Sequence, residues 1–476
     1  MLCYPPGDLS VKIKNRYKFY LNDIIPPTMR ACNDLGYMAS TLRNAGNDVL
    51  IKDYKITKAS ALDFLDDILN FVPDFIVMTT SYANIFEDLK LVRMIKSSNP
   101  NIVIILKGEM FFNPSEEILT TLPLGGVDYL IGSDAAFIMP LLVKAHCERQ
   151  DIITQIPFIT ICKNGYMQKT SFNAVHGNIE ELPFPARDLM KNEYYYRPDN
   201  NMVTATIYTS NGHSSDSIYL TQKDLSSENL NIRTAKSVFE EMFDCYTNYG
   251  IRSFIFPSES FTNNEKWIEE FCDYIINSPM HRNVDWIANV NIAKFTEYMA
   301  MEMKAAGCSL LIMRFDCGSE ESLIRMQKEI SIDECLNSFE IAEKNKLKVF
   351  GMYSIGLPWE NEEHIHATRN LMFKIPADII SIAIPLPYPG TKIEQIFREE
   401  NVLREKTIFH DSIKIPNLGT KFLSAKKLRK MRRQILIMYY LNPKFVFKKL
   451  IEAIKKPELF KKYGLFLLNL FTNKRF

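Results

Sequence analysis

No two of the nine cysteines in this 476-residue chain stand in a C-x-x-C pair. Cys3, Cys32, Cys147, Cys162, Cys245, Cys272, Cys308, Cys317 and Cys335 are scattered, mostly among apolar residues, so local spacing draws no iron–sulfur or zinc site. Reduced, mostly buried thiols in a cytoplasmic protein are the expectation. The chain also lacks a charged-then-apolar leader and any uninterrupted apolar run of about 18 residues, which argues against secretion and membrane spanning. It lacks a net field as well: 57 Lys and Arg against 56 Asp and Glu leave +1. That excludes steering of nucleic acid by the whole molecule, and no basic–aromatic groove motif marks a local site for it.

What is present is the balance of a soluble globular protein, 46% hydrophobic and 24% charged, long enough for two or three cores. Through residues 1–147 short β-rich runs alternate with amphipathic stretches. "LCYPPG" (2–7), "VLIKDY" (49–54), "FIVMTT" (75–80), "IVIILKG" (102–108) and "VDYLIG" (127–132) read as strands, with helices near 33–46, 60–71, 85–97 and 134–147. Continuous apolar strands between helices predict a parallel, Rossmann-like sheet covered on both faces, with ligands at the carboxyl ends of its strands. A connector, 148–202, carries an Asn164-Gly165 hairpin and the proline-rich "LPFPARDLM" (182–190), expected to be extended. A second series over 203–400 offers six strand-like runs: 203–208, 253–257, 284–290, 309–315, 348–355 and 379–385. Helical patterns at 234–249, 264–277, 294–306, 319–326, 332–345 and 361–373 separate them, so a partial (β/α)6 barrel is expected, its chemistry at the C-terminal strand ends. Residues 401–476 read as a basic helical extension.

One loop of the second series stands apart. "TSNGHSSDSIYL" (209–220) follows the first barrel strand and places His213, Ser217 and Leu220 at the spacing of a three-ligand motif. His213 beside Asp216 or Ser217 is a weak candidate for a general base; a lone histidine in a polar loop is otherwise simply solvated.

Taken together, many collinear segments resemble the cobalamin-binding (B12-dependent) radical SAM superfamily. "LGYMASTLRNAGNDVLIKDY", "PDFIVMTTSYANIFEDLKLVRMIKSSNPNIVIILKG" and "VDYLIG" resemble its cobalamin-binding domain, and "LPFPARDLM" its connector. "FIFPSESFTNNEKWIEEFCDYI", "AAGCSLLIMRFDCGSEESLIRM", "VFGMYSIGLPWENEEHI" and "IAIPLPYPGTKIEQI" resemble its second, fourth, fifth and sixth barrel units. The resemblance implies a 4Fe–4S cluster on C-x-x-x-C-x-x-C after the first strand. Here those positions are His213, Ser217 and Leu220, so the cluster is expected to be absent and the member degenerate. It implies a SAM-type pocket at Asp316, Ser319, Gly356 and Tyr388, and cobalamin-type loops at Ser81, Gly108 and Gly132. Lys107 and Ser133 add side chains where a cobalamin nucleotide tail would thread. SAM and cobalamin binding therefore both stay open, and these glycines also have a bland role in strand-to-loop turns.

Three functions follow. The first is a non-catalytic subunit or regulator of a biosynthetic pathway, partnered by an intact radical SAM enzyme or another pathway protein. The second is a cluster-independent enzyme performing polar methyl transfer, and the third a SAM- or cobalamin-responsive module. From Lys421 to Tyr463 there are 14 Lys and Arg against Glu452 and Glu458. The basic stretch 421–471 reads either as a solvated face packed on the barrel or as a dock for an anionic membrane surface or an acidic partner.

Overall fold

The computed structural model describes residues 1–7, 30–82, 84–112, 114, 116–132, 134–149, 151–163, 165–171, 177–197, 199–211, 218–219, 230–259, 261–403 and 418–455. Its described strands form two large sheets, each built around strands that are apolar on both faces, and a two-stranded ribbon.

The first sheet runs β2-β1-β3-β4-β5-β6-β7. Strands β1 (Leu2–Tyr4), β2 (Ile51–Asp53), β3 (Phe75–Thr79), β4 (Val103–Lys107) and β5 (Tyr129–Ile131) are parallel. Four helices cover it: α1 (Asn33–Asn44), α2 (Ala61–Phe71), α3 (Ile85–Ser98) and α4 (Ala135–Cys147). Leu35, Met38 and Leu42 of α1 pack with Ile138, Met139 and Leu142 of α4 on one face. Phe64 and Ile68 of α2 pack with Leu89, Val92 and Ile95 of α3 on the other. The order 2-1-3-4-5 reverses between β1 and β3, where a doubly wound sheet opens a crevice. The connector hairpin, β6 (Ile159–Lys163) and β7 (Tyr166–Lys169), extends this sheet with two antiparallel strands, β6 pairing with β5.

The second sheet runs in chain order: β8 (Thr204–Thr206), β11 (Ser253–Phe256), β12 (Asp285–Val290), β13 (Cys308–Asp316), β14 (Lys348–Ser354) and β15 (Ile379–Ala383), all parallel. A two-residue ribbon, β9 (Ser210–Asn211) with β10 (Asn231–Ile232), clasps the base of the loop after β8. Side chains alternate along the strands. Ile255, Ile287, Leu310, Ile312, Phe350 and Met352 fill the concave face. Phe254, Trp286, Leu311, Met313, Val349 and Ile380 point outward. The outer cover comprises α5 (Ala235–Asn248), α6 (Glu265–Ile276), α7 (Glu297–Ala305), α8 (Glu320–Arg325), α9 (Ile332–Lys344), α10 (Glu362–Lys374) and α11 (Lys392–Glu399). The architecture is the expected α/β one, a Rossmann-like sheet and a parallel six-stranded barrel-type sheet, followed by helices α12 (Ala425–Tyr440) and α13 (Pro443–Lys455).

An unclosed barrel leaves an edge, and α12 caps it. Ile380 N donates to Tyr440 Oη at 2.9 Å, Tyr440 Oη donates to Ile380 O at 3.0 Å, and Arg432 Nε donates to Ile382 O at 2.7 Å. These bonds satisfy backbone groups of β15 that would otherwise face outward.

The connector welds the two sheets together. "LPFPARDLM" is extended as expected except for one tight turn at Arg187–Leu189, which carries the Arg187 guanidinium inward. There Arg187 pairs with Glu241 at 2.7 Å and donates to Thr206 O at 3.2 Å; Arg233 pairs with the second Glu241 oxygen. Arg187, Glu241 and Arg233 are all at most 3% exposed, so this is a fully desolvated triad. Asn33 of α1 donates to the same Thr206 carbonyl. Gly36 leaves room for Pro185, whose Cβ lies 2.7 Å from where a side chain would begin.

Candidate functional site

The C-terminal ends of β12, β13 and β14 enclose a cavity of about 190 Å³. It is smaller than the roughly 300–1,000 Å³ of most ligand pockets. Asn289, Asn291, Arg314, Asp316, Lys328 and Met352 are among its walls. Its charges are largely spent on one another. Arg314 pairs with Glu259 at 2.8 Å, and Lys328 Nζ stands 2.9 Å from Asp316 Oδ2. Asp316 sits where β13 breaks register with β14, in the left-handed region at φ +55°, and is 1% exposed. Lys328 approaches off the hydrogen-bonding direction, so neither carboxylate oxygen receives a directed hydrogen bond. Both oxygens are closed off from solvent, Oδ2 against the Lys328 ammonium, and the space is small for a nucleoside.

The other residues of the expected SAM-type pocket are committed to the fold. Ser319 caps α8, its Oγ accepting from Ser322 N at 3.3 Å. Gly318 N donates to Thr368 Oγ1 at 3.0 Å, and a Cβ at Gly318 would lie 2.4 Å from Ala367 O. Gly356 has φ +91° and faces the Leu428 side chain of α12. Tyr388 leaves this region altogether and stacks on Tyr82 at 5.1 Å, while Tyr82 Oη donates to Pro389 O at 3.4 Å.

That stacking joins the mouths of both sheets. Burial, followed by the Glu109 charge, pushes the Tyr82 and Tyr388 phenols above their ordinary range. Beside them, at the end of β3 and the start of α3, Thr79 Oγ1, Ser81 Oγ, Asn84 Nδ2 and Asp88 Oδ1 are buried without hydrogen-bond partners. Burial pushes the Asp88 carboxyl up to about 6. These unpartnered polar atoms lie beside the topological switch point, and Thr79, Ser81 and Asn84 are the residues that could offer hydrogen bonds to the tail of a cobalamin there. The two glycine loops add less to it. A Cβ at Gly132 would lie 2.2 Å from Phe112 N, and one at Gly108 would lie 3.0 Å from Thr80 O. Both close approaches are to the chain's own backbone. Lys107 is drawn aside to Asp34 at 2.6 Å, and Asp34 also accepts from Tyr4 Oη at 3.0 Å. Ser133 lies outside the described residues.

His213, Ser217 and Leu220 lie outside the described residues as well. Ile218, between them, is buried in an apolar plug at the barrel mouth with Cys317, Leu357, Trp359, Ile393 and Phe397, its carbonyl accepting from Ile393 N at 2.7 Å. All nine cysteines are free and seven are buried. Burial pushes the Cys317 thiol far up, so it stays protonated. Among the described residues no three His, Cys, Asp or Glu side chains converge on a metal position. His213, Ser217 and Leu220 themselves offer no thiolate, the donor an iron–sulfur cluster uses.

Two structural groups escaped the sequence reading. Glu360 is fully buried in the turn after β14, accepting from Gly356 N at 2.7 Å and Leu357 N at 3.0 Å; burial pushes it up to about 7. The Arg187–Glu241–Arg233 triad is the second. Its signal was a glutamate within the apolar stripe Val238, Met242, Cys245 of α5.

No protein-family profile matches the chain. It is 23% identical over 440 residues to an uncharacterized methyltransferase of Pyrococcus horikoshii, covering 90% of this chain and 94% of that protein. It is 22% identical over 380 residues to the anaerobic magnesium-protoporphyrin IX monomethyl ester cyclase of Rubrivivax gelatinosus, covering 76% of this chain and 65% of the cyclase. Among solved structures it is similar to the radical S-adenosylmethionine methyltransferase TsrM from Kitasatospora setae, with cobalamin and a 4Fe–4S cluster bound. That similarity has a TM-score of 0.66 at 16% identity over 81% of this chain and 78% of that one. The cobalamin-dependent S-adenosylmethionine radical enzyme OxsB, with aqua-cobalamin and S-adenosylmethionine bound, aligns with a TM-score of 0.69 at 13% identity, over 94% and 70%. The chain therefore has the fold of the cobalamin-dependent radical SAM enzymes.

Proposed function

We propose that this chain uses the cobalamin-dependent radical SAM fold without an iron–sulfur cluster, as a non-catalytic subunit or regulator of a biosynthetic pathway. One observation carries the reading: His213, Ser217 and Leu220 stand where the resemblance puts three cysteines. Leucine has no lone pair to offer iron, and a serine hydroxyl is a poor substitute for a thiolate. Without the cluster, reductive cleavage of SAM has no electron source. Lys328 against Asp316, and the small cavity, support the same reading. Its partner would be an intact radical SAM enzyme or another protein of the pathway.

A second reading keeps SAM, and the place of Asp316 on the wall of the strand-end cavity favours it. Methyl transfer from a sulfonium to a positioned nucleophile needs no electron. Calorimetric titration of the full chain with SAM and with hydroxocobalamin, wild type beside Asp316→Ala, separates the two. The first reading predicts no saturable SAM binding by either protein. Saturable binding that Asp316→Ala weakens tenfold or more would replace it with the second.

A further inference from the structure

The last described helix, α13, presents an apolar face that nothing else in the described structure covers. Val446, Phe447, Leu450, Ile451 and Ile454 are 40–65% exposed. At 100° per residue these five positions span one arc of about 140°. The opposite side of the helix is anchored: Ala453 is buried, Phe445 packs against Tyr439 and Tyr440, and Lys449 pairs with Asp378 at 3.5 Å. The helix is thus held in place with its apolar arc outward.

The charge around it is one-sided. From Lys421 to Lys455 there are 11 Lys and Arg and a single acidic residue, Glu452. Between α10 and α12 a cavity of about 450 Å³ is lined by His366, Arg369, Lys426, Lys427 and Lys430, with Glu362 the one carboxylate. An outward apolar arc within a lysine-rich stretch, close in sequence to a basic groove, matches the way an amphipathic helix lies in a lipid interface. No described helix is long and apolar enough to cross a membrane, so the arrangement suits lying on the surface.

We propose that α13 docks this protein onto an anionic lipid surface, the apolar arc entering the acyl boundary and the positive charge of residues 421–455 drawing it to the headgroups. Charge complementarity selects this occupant. An acidic protein would have to supply both a groove for five apolar side chains and a carboxylate rim, whereas an anionic bilayer offers both without shape matching. The proposal is independent of whether a cluster, SAM or cobalamin binds.

Flotation of the full chain with vesicles tests it. The chain should float with equimolar phosphatidylglycerol and phosphatidylcholine, stay down with phosphatidylcholine alone, and release as salt rises. Phe447→Asp with Ile454→Asp should abolish flotation at an unchanged melting temperature, since both side chains are 65% exposed. Lys426→Ala and Lys430→Ala should each weaken binding by up to about fivefold. Failure to float, equal flotation on neutral vesicles, or indifference to Phe447→Asp with Ile454→Asp would overturn the proposal. So would a wild-type dimer that Phe447→Asp turns into a monomer, because a second copy would then own this face.

Discussion

Glu360 is a carboxylate enclosed by protein, and its environment makes a pH-dependent statement about stability. Its pKa rises from 4.5 to about 7 through burial, against opposing help from two backbone N–H groups. Between those values the native state binds more protons than the unfolded chain, so stability falls as pH rises through that window. The full effect is on the order of 3 kcal/mol. Glu360→Gln keeps an acceptor for the turn and removes the titration. Denaturant unfolding at several pH values should show a flatter profile for this variant between pH 4.5 and 7. The buried triad makes a second residue-scale prediction. Glu241→Ala leaves Arg187 and Arg233 desolvated without their shared counter-charge, at a cost of about 3–5 kcal/mol. The denaturation midpoint should drop accordingly, whereas an exposed pair such as Lys90 and Glu87 should change it by less than about 1 kcal/mol. Neither group announces its partners in the sequence. Arg187 and Glu241 are 54 positions apart, and Glu360 finds Ser322 across another helix.

At the scale of elements most of the fold was legible, because its strands are apolar runs between capped amphipathic helices. All five expected strands of the first sheet and all six of the second form, each within a few residues of its expected span. Ser60 and Ser331 supply capping boxes for α2 and α9, and such local signals survive translation into structure. What escaped was pairing that depends on tertiary context. The connector hairpin joins β5, and α12 seals β15, because sheet edges need covering and the sequence carries no sign of which element covers them. Gly132 shows how a family resemblance and local packing can claim the same residue. If its role is the close approach to Phe112, then Gly132→Ala should destabilise the protein by about 1–3 kcal/mol with no ligand present. A thermal melt of the ligand-free variant checks this. An unchanged melting temperature, with cobalamin affinity reduced, would return the glycine to a ligand role.

Across the whole molecule the chain has the fold of the cobalamin-dependent radical SAM enzymes, and the proposed absence of a cluster rests on three positions of one loop, His213, Ser217 and Leu220. Of the residues expected to form one SAM-type site, Asp316, Ser319 and Gly356 follow the ends of the adjacent strands β13 and β14, Ser319 capping a helix and Gly356 backing onto α12, whereas Tyr388 stacks on Tyr82. The candidate site was therefore less legible than the fold, since a motif fixes where a backbone turns but not what its side chains meet. The unpartnered polar atoms of Thr79, Ser81 and Asn84 are the groups of the first sheet with hydrogen-bonding capacity left for a ligand. The central claim, a barrel without a cluster, is tested most directly by anaerobic reconstitution of the full chain with iron and sulfide, followed by iron and sulfide analysis after desalting. The account predicts that neither element remains in stoichiometric amount. A stable cluster, with four irons and four sulfides per chain as the C-x-x-x-C-x-x-C relatives would hold, would contradict it.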